Sequence, residues 1–227
     1  MPGILEVIVT TAEEAREAEA GGADRLELVR ALPFGGLTPD PYLVRDVVEA
    51  VSIPVRAMIR ENASMTLGDG AEMEVLRQRA TAIAGLPVGG LVAGFIRDGA
   101  IDTDAMRRLL EPVPDIRVTF HRAFDEVDSP LRAIADLKDI GQVDYILTDG
   151  GQGDWPERKH RLLEWQRAAS PEITILVAAG LCTSIFEDLN QQDQPFQFHV
   201  GRAARIGHQA SNPVDREQVA FVKSLIR

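Results

Sequence analysis

Cysteine is almost missing from this 227-residue chain. Cys182 is the single one, which excludes an internal disulfide and any zinc or iron–sulfur site built on several thiolates. Its expected place is that of a small, partly buried side chain. Basic charge is also short: 24 Lys and Arg face 35 Asp and Glu, for a formal net charge of −11. Binding to nucleic acid or to an anionic membrane is disfavoured, because neutralising phosphates needs clustered cations that an acidic surface opposes. No run approaches the roughly 20 apolar residues of a membrane span. Met1-Pro2-Gly3 leads straight into an apolar segment without a basic, signal-like stretch, so a cytoplasmic protein is expected. Only Lys138, Lys159 and Lys223 occur, all in predicted helices, and none sits where a Schiff-base aldolase needs one. No Ser/Gly/Pro linker or shift of composition marks a boundary, so residues 1–227 read as one domain.

What the chain does have is 45% hydrophobic and 26% charged residues, enough apolar material for a sizeable core. Short β-branched or apolar runs, each followed by a helical stretch, recur about every 25 to 30 residues. The predicted strands are Ile4 to Thr10, Arg25 to Val29, Pro54 to Arg60, Gly89 to Phe95, Ile116 to His121, Tyr145 to Thr148, Thr174 to Ala178 and Phe196 to Val200. Helices are predicted near Ala12 to Ala20, Tyr42 to Ala50, Ala71 to Ala84, Asp104 to Leu110, Pro130 to Asp139, Pro156 to Ala168, Ser184 to Asn190 and Asp215 to Ile226. Asp128-Ser129-Pro130 offers a cap followed by proline in the first helical turn, and Gly21-Gly22 and Gly141 suit helix ends. Eight strand–helix units favour a closed α/β (β/α)8 TIM barrel over an open doubly wound sheet.

Charged residues inside barrel strands carry information, because apolar side chains normally fill both faces. Glu6 interrupts Leu5-Glu6-Val7-Ile8-Val9 and Glu27 interrupts Leu26-Glu27-Leu28-Val29. Their apolar neighbours belong against helices, which points both carboxylates into the lumen. Arg60, His121 and His199 lie at or near the ends of the third, fifth and eighth strands, the face where barrel sites are built. An unpaired buried charge costs several kcal/mol, so a Glu6, Glu27 and Arg60 hydrogen-bonded network is expected, either structural or in contact with a ligand. In the segment Thr119 to Asp125, His121 is a candidate general acid or base, Arg122 a holder of an anionic group, and Asp125 an orienting or loop-bracing partner. Glycine-rich turns follow the last three strands: Asp149-Gly150-Gly151, Ala179-Gly180-Leu181 and Gly201-Arg202-Ala203-Ala204-Arg205. Such loops can bind phosphate through backbone N–H groups; tight turning alone also explains Gly150 and Gly180, while Arg202 and Arg205 favour an anion. His160 and His208 are expected at the surface, and Met58 in the core.

The ordered motifs Leu5-Glu6-Val7, Gly21-Gly22-Ala23-Asp24-Arg25-Leu26-Glu27-Leu28, Gly35-Gly36-Leu37-Thr38-Pro39, Met58-Ile59-Arg60, Gly90-Leu91-Val92 with Asp98-Gly99-Ala100-Ile101-Asp102, Thr119 to Asp125, and Ile146-Leu147-Thr148 together resemble the CutC family of copper homeostasis proteins. The resemblance implies a homo-oligomeric TIM barrel, a copper-binding assignment, and a polar pocket at Glu6, Glu27, Arg60, His121, Arg122 and His199. The chain departs from its relatives where many carry cysteine: Ile8 and Val29 stand in the first two strand motifs, and the last reads Phe198-His199-Val200-Gly201. Cu(I) selects thiolate and thioether ligands, so copper as a cofactor loses its expected donors, although His121, His199 and a glutamate are of the kind that holds Zn(II) or Cu(II). Three readings stay open: a copper-handling protein, a barrel lyase, isomerase or hydrolase acting on a small anionic metabolite with His121, Glu6 and Glu27 as catalytic groups, and a non-catalytic metabolite-binding barrel.

Overall fold

Apolar residues at alternate positions give each short strand one face for a helix layer and leave the other for a lumen. In the computed structural model, which describes residues 3–178, 180–192 and 196–226, eight parallel strands realise that pattern. They are β1 (Leu5–Val9), β2 (Arg25–Leu28), β3 (Val55–Met58), β4 (Gly90–Ala93), β5 (Val118–Phe120), β6 (Val143–Thr148), β7 (Thr174–Val177) and β8 (Gln197–Val200). Each bonds to its neighbours in chain order, and β8 closes on β1. The helices are α1 (Ala12–Ala20), α2 (Pro41–Ala50), α3 (Gly70–Ala84), α4 (Thr103–Leu110), α5 (Pro130–Lys138), α6 (Trp155–Ala169), α7 (Thr183–Leu189) and α8 (Arg216–Ser224). The protein is a (β/α)8 barrel.

Local chemistry sets the helix starts. Thr11, Asp40, Asp69, Asp102, Asp154 and Asp215 each cap a helix by accepting a backbone N–H, and Asp154 with Glu157 forms a capping box. At α5, Ser129 holds the cap position and Pro130 the first turn as expected, but the Ser129 hydroxyl makes no capping bond. Several strands end earlier than predicted. Arg60 and His121 lie just past the last paired residues, where the chain is already turning toward the mouth. A two-stranded hairpin, Ile96–Arg97 with Ala100–Ile101, was not predicted. Its turn residues Asp98 and Gly99 both have positive φ, 52° and 71°, the conformation that suits an Asp-Gly hairpin.

Outward residues such as Leu5, Val7, Leu26, Leu28 and Ala57 pack against Ala15, Ala18, Val44, Val47 and Leu76 of the helices, forming the main core. The lumen is different. Among the described residues it holds two small buried apolar groups, Val29 with Met58 and Val92, and Leu147 with Leu176 and Ala178, with Ile8, Leu32 and Tyr145 packed against them. Between and beneath them lies a buried layer of charge.

Candidate functional site

Strand register assembles the charged layer. Glu6 of β1 sits opposite Arg25 on one side and His199 on the other, and Glu27 of β2 sits opposite Ile8 and Arg56. Glu6 is fully buried. Its Oε2 accepts a short hydrogen bond from Arg25 Nε, and its Oε1 lies 2.7 Å from His199 Nδ1. The other imidazole nitrogen, His199 Nε2, is 3.6 Å from Glu27 Oε2. Below them, Arg56 donates two 2.6 Å bonds to Asp144 and one of 2.9 Å to Thr119 Oγ1. Arg25 and Arg56 both stack on Tyr145, 4.1 and 4.6 Å from the ring centroid, a favourable placement for a cation. Gly90 makes room for this layer: a Cβ there would meet Arg117 O at 2.7 Å and Arg56 Cζ at 3.3 Å.

The expected network therefore exists with a different cation. Glu6 and Glu27 are joined through His199 and balanced by Arg25, whereas Arg60 donates Nε to Asn62 O at 2.8 Å and Nη2 to Ala63 O at 2.7 Å. Arg60 lies in the loop after β3, and among the described residues no hydrogen bond or ion pair joins it to Glu6 or Glu27. The strand pattern held the missed signal. Arg25 is two residues before Glu27, and Arg56 two before Met58, so alternation places them on the lumen face.

Above the layer opens a cavity of about 460 Å³ at the C-terminal strand ends, lined by Glu27, Arg60, His121, Arg122, Asp125 and His199, with Ile8, Met58, Met65 and Leu147 as apolar wall. Six of the predicted site residues thus share one cavity. Glu6 lies beneath it, and Gly150 does not line it. Gly150 is a turn glycine at φ 87° whose carbonyl accepts from Arg161 Nε at 2.7 Å. Gly180 and Arg202 line an adjoining cavity of about 560 Å³. Ala179 of the same predicted turn lies outside the described residues. Arg205 does not face either cavity: it is buried, bonded to both oxygens of Glu14 at 2.5 and 3.0 Å, and braces the loop after β8 against α1.

Electrostatics divide the ionisable groups into distinct roles. Burial pushes the Glu27 carboxyl up, His199 opposes and Glu6 assists, and the result is about 7. Its Oε1 is buried with no hydrogen-bond partner among the described residues. Burial also disfavours ionised Glu6, yet Arg25 and the His199 bond outweigh it and hold that carboxyl at about 2. His199 is raised, because Glu27 and Glu6 overcome its desolvation. His121 goes the other way, pushed down to about 3 by burial and by Arg60. Its Nδ1 accepts the Ala123 N–H at 3.1 Å, so the neutral ring carries its proton on Nε2. With its pKa at about 3 the ring is neutral around pH 7, with Nε2–H as its donor. Arg122 is matched by Asp125 at 2.7 Å and by Asp149, which makes it a loop brace and weakens its claim on a ligand anion. Burial, aided by Asp149, raises Asp125, whose Oδ1 accepts from the Thr148 hydroxyl.

Gly94 holds His121 in place by being small. A Cβ at Gly94 would approach His121 Nδ1 to 2.7 Å and Cε1 to 2.9 Å, closer than real contacts allow. Gly94→Ala should therefore displace the ring and destabilise the fold by about 1–3 kcal/mol, measured by urea denaturation. An unchanged midpoint would show that the imidazole has room to move.

Comparison with known proteins agrees with this architecture. The CutC family model matches residues 3–202. A family protein CutC from Xanthomonas axonopodis pv. citri (strain 306) is 33% identical over 210 residues, covering 92% of this chain and 87% of that protein. Another, from Parabacteroides distasonis, is 32% identical over 202 residues, covering 88% and 83%. Among solved structures, the copper homeostasis protein CutC of Streptococcus agalactiae superposes with a TM-score of 0.80 at 23% identity, covering 88% of this chain and 98% of that one. Thiamine phosphate pyrophosphorylase from Pyrococcus furiosus shares the fold at a TM-score of 0.63 and 14% identity, covering 98% and 94%. Matched across nearly its whole barrel, this chain belongs to the CutC family.

Proposed function

We propose that this protein is a barrel enzyme that moves a proton on a small anionic metabolite, next to a carbonyl group, with Glu27 as the acid–base group. One observation carries the reading: a carboxyl in the cavity wall, held near neutrality by burial, with an oxygen that nothing in the described residues engages. A group with a pKa near the working pH transfers protons efficiently in both directions. His121 supports the same chemistry. A neutral imidazole whose Nε2 alone is left for a ligand can donate to a carbonyl oxygen and stabilise the enolate that forms when Glu27 takes the adjacent proton. Arg60 has Nη1 left after its two loop bonds and lines the same cavity as Glu27 and His121, where its positive charge favours the negative charge that develops on the carbonyl oxygen. The proton returns from Glu27 to a neighbouring carbon, which is isomerisation, or stays while a β-substituent leaves, which is elimination.

The family name points instead to copper. The donors do not fit Cu(I): Cys182 is exposed and does not line the cavity, against the expectation of a partly buried side chain. The lining sulfur comes from the thioethers of Met58 and Met65, with Met58 packed against Val29 and Val92. Both nitrogens of His199 face glutamates. Among the described residues no group of three or more His, Cys, Asp or Glu is placed to hold a metal.

A panel of small carbonyl compounds bearing carboxylate or phosphate, screened by thermal stabilisation, tests the reading. At least one should raise the melting temperature of the wild type, and the shift should disappear in both His121→Ala and Arg60→Ala. Stabilisation by Cu(I) alone, with no response to the panel, would point to the family name and sink the enzyme.

A further inference from the structure

The cavity beyond β7 and β8 differs in charge from the one above Glu27. Its wall includes Gly180, Gly201, Arg202 and His208, and among the described residues no aspartate or glutamate lines it. That is unusual ground in a chain with 35 acidic residues and a net charge of −11. Its three arginine neighbours have unequal freedom. Arg205 is closed by Glu14 and Arg122 by Asp125 and Asp149, whereas Arg202 is exposed and no described carboxylate pairs with it. An anion entering this cavity meets a guanidinium without a competing carboxylate, and no negative side chain opposes it. A planar guanidinium is well shaped to hold two oxygens of such a group.

The two cavities are continuous, sharing Ile8, Leu32, Gly35, Arg122 and His199 as common wall. At about 460 and 560 Å³, each has the size of a small-ligand site. Together they form a trough polarised along its length: a proton-transferring end at Glu27 and His121, and a cationic end at Arg202.

We propose that the cavity beyond β7 and β8 holds the phosphate of a phosphorylated carbonyl substrate, with Arg202 as its cation and the reacting carbons lying toward Glu27. This names the substrate class for the acid–base reading above and rests on it for the orientation. Phosphate fits better than carboxylate because a dianion gains most from a wall without acidic groups and supplies more oxygens for Arg202 and the His208 ring. Remote binding of a phosphate also lets binding energy act on orientation at the reacting centre.

Inorganic phosphate is the probe, followed by broadening of its phosphorus NMR signal on titration with the full-length protein, with acetate as the competing carboxylate. The wild type should show saturable phosphate binding that acetate displaces poorly. Arg202→Ala should weaken it by about tenfold to a hundredfold, with part of the loss recovered in Arg202→Lys. Glu27→Gln should bind phosphate as the wild type does. Equal binding by Arg202→Ala and the wild type, no saturable binding, or displacement by acetate at equal concentration would each overturn the phosphate assignment. Because this readout needs no turnover, it is independent of the acid–base reading. Loss of phosphate binding in Arg202→Ala, alongside unchanged proton transfer in Glu27→Gln, keeps the anion site and removes only the chemistry.

Discussion

Glu27→Gln should lower the rate of solvent deuterium exchange into a bound carbonyl ligand by about 10²- to 10⁴-fold, the usual contribution of a positioned acid–base group. The amide keeps the shape and volume of the side chain but cannot take the proton. Ligand affinity should change little, because Arg60 and His121 are untouched. The same variant has a pH signature that needs no substrate. Burial raises Glu27 to about 7, above the ordinary carboxyl value, so its neutral form is the one the fold favours. The stability it contributes is complete below the unfolded carboxyl value and is lost as pH rises through about 7. His199, also raised, acts in the same direction, losing its contribution as pH rises through its folded value. Melting temperature should therefore fall across neutral pH in the wild type and fall less steeply in Glu27→Gln. Unchanged exchange and an unchanged pH slope together would falsify the assignment of Glu27.

The second large effect lies in the layer beneath. Glu6→Ala leaves Arg25 and His199 without their shared carboxylate in a site with almost no access to water, and removing one member of a buried ion pair costs about 3–5 kcal/mol. Arg25→Ala should cost a similar amount, since it strands Glu6 and also loses the stacking on Tyr145. The double variant Glu6→Ala/Arg25→Ala should be markedly less destabilised than the sum of the two, because the second removal no longer strands a charge. Guanidinium denaturation of the three variants measures this. Losses under about 1 kcal/mol for the single variants would mean that water reaches the layer. Acid acts on the same bond. Glu6 is held at about 2, so the stability it supplies is present above the ordinary carboxyl value and is lost as pH falls toward that number.

Particular residues show how far the amino-acid sequence carried these conclusions. Alternation in Leu5-Glu6-Val7 and Leu26-Glu27-Leu28 was enough to aim two carboxylates inward, and the structure places both there. It did not single out Arg25 or Arg56, although the same alternation applies to them: Arg25 opens its predicted strand and reads as a boundary, and Arg56 inside Pro54 to Arg60 was passed over for Arg60 at the strand end. The Asp98-Gly99 turn was legible as a hairpin and was seen only as part of a motif. His121 was singled out for its position, but its chemistry depended on a backbone N–H two residues away and on the Arg60 cation. Arg122, Arg202 and Arg205 looked alike in sequence. Only the positions of Asp125, Asp149 and Glu14 separate the two that are neutralised from the one that is not.

The sequence by itself determined the eight-fold strand–helix alternation, the face each strand turns inward, and the family. The first two follow from periodicity and local capping, which depend on neighbours along the chain; the family follows from the ordered motifs that resemble it. The tertiary structure decided which charges meet. Register between β1, β2 and β8 set Glu6 between Arg25 and His199; burial raises both glutamates of similar intrinsic acidity, but those two partners hold Glu6 at about 2 while Glu27 rises to about 7. Proton affinity in the lumen is a property of distance and desolvation, and neither is written in the order of residues along one strand.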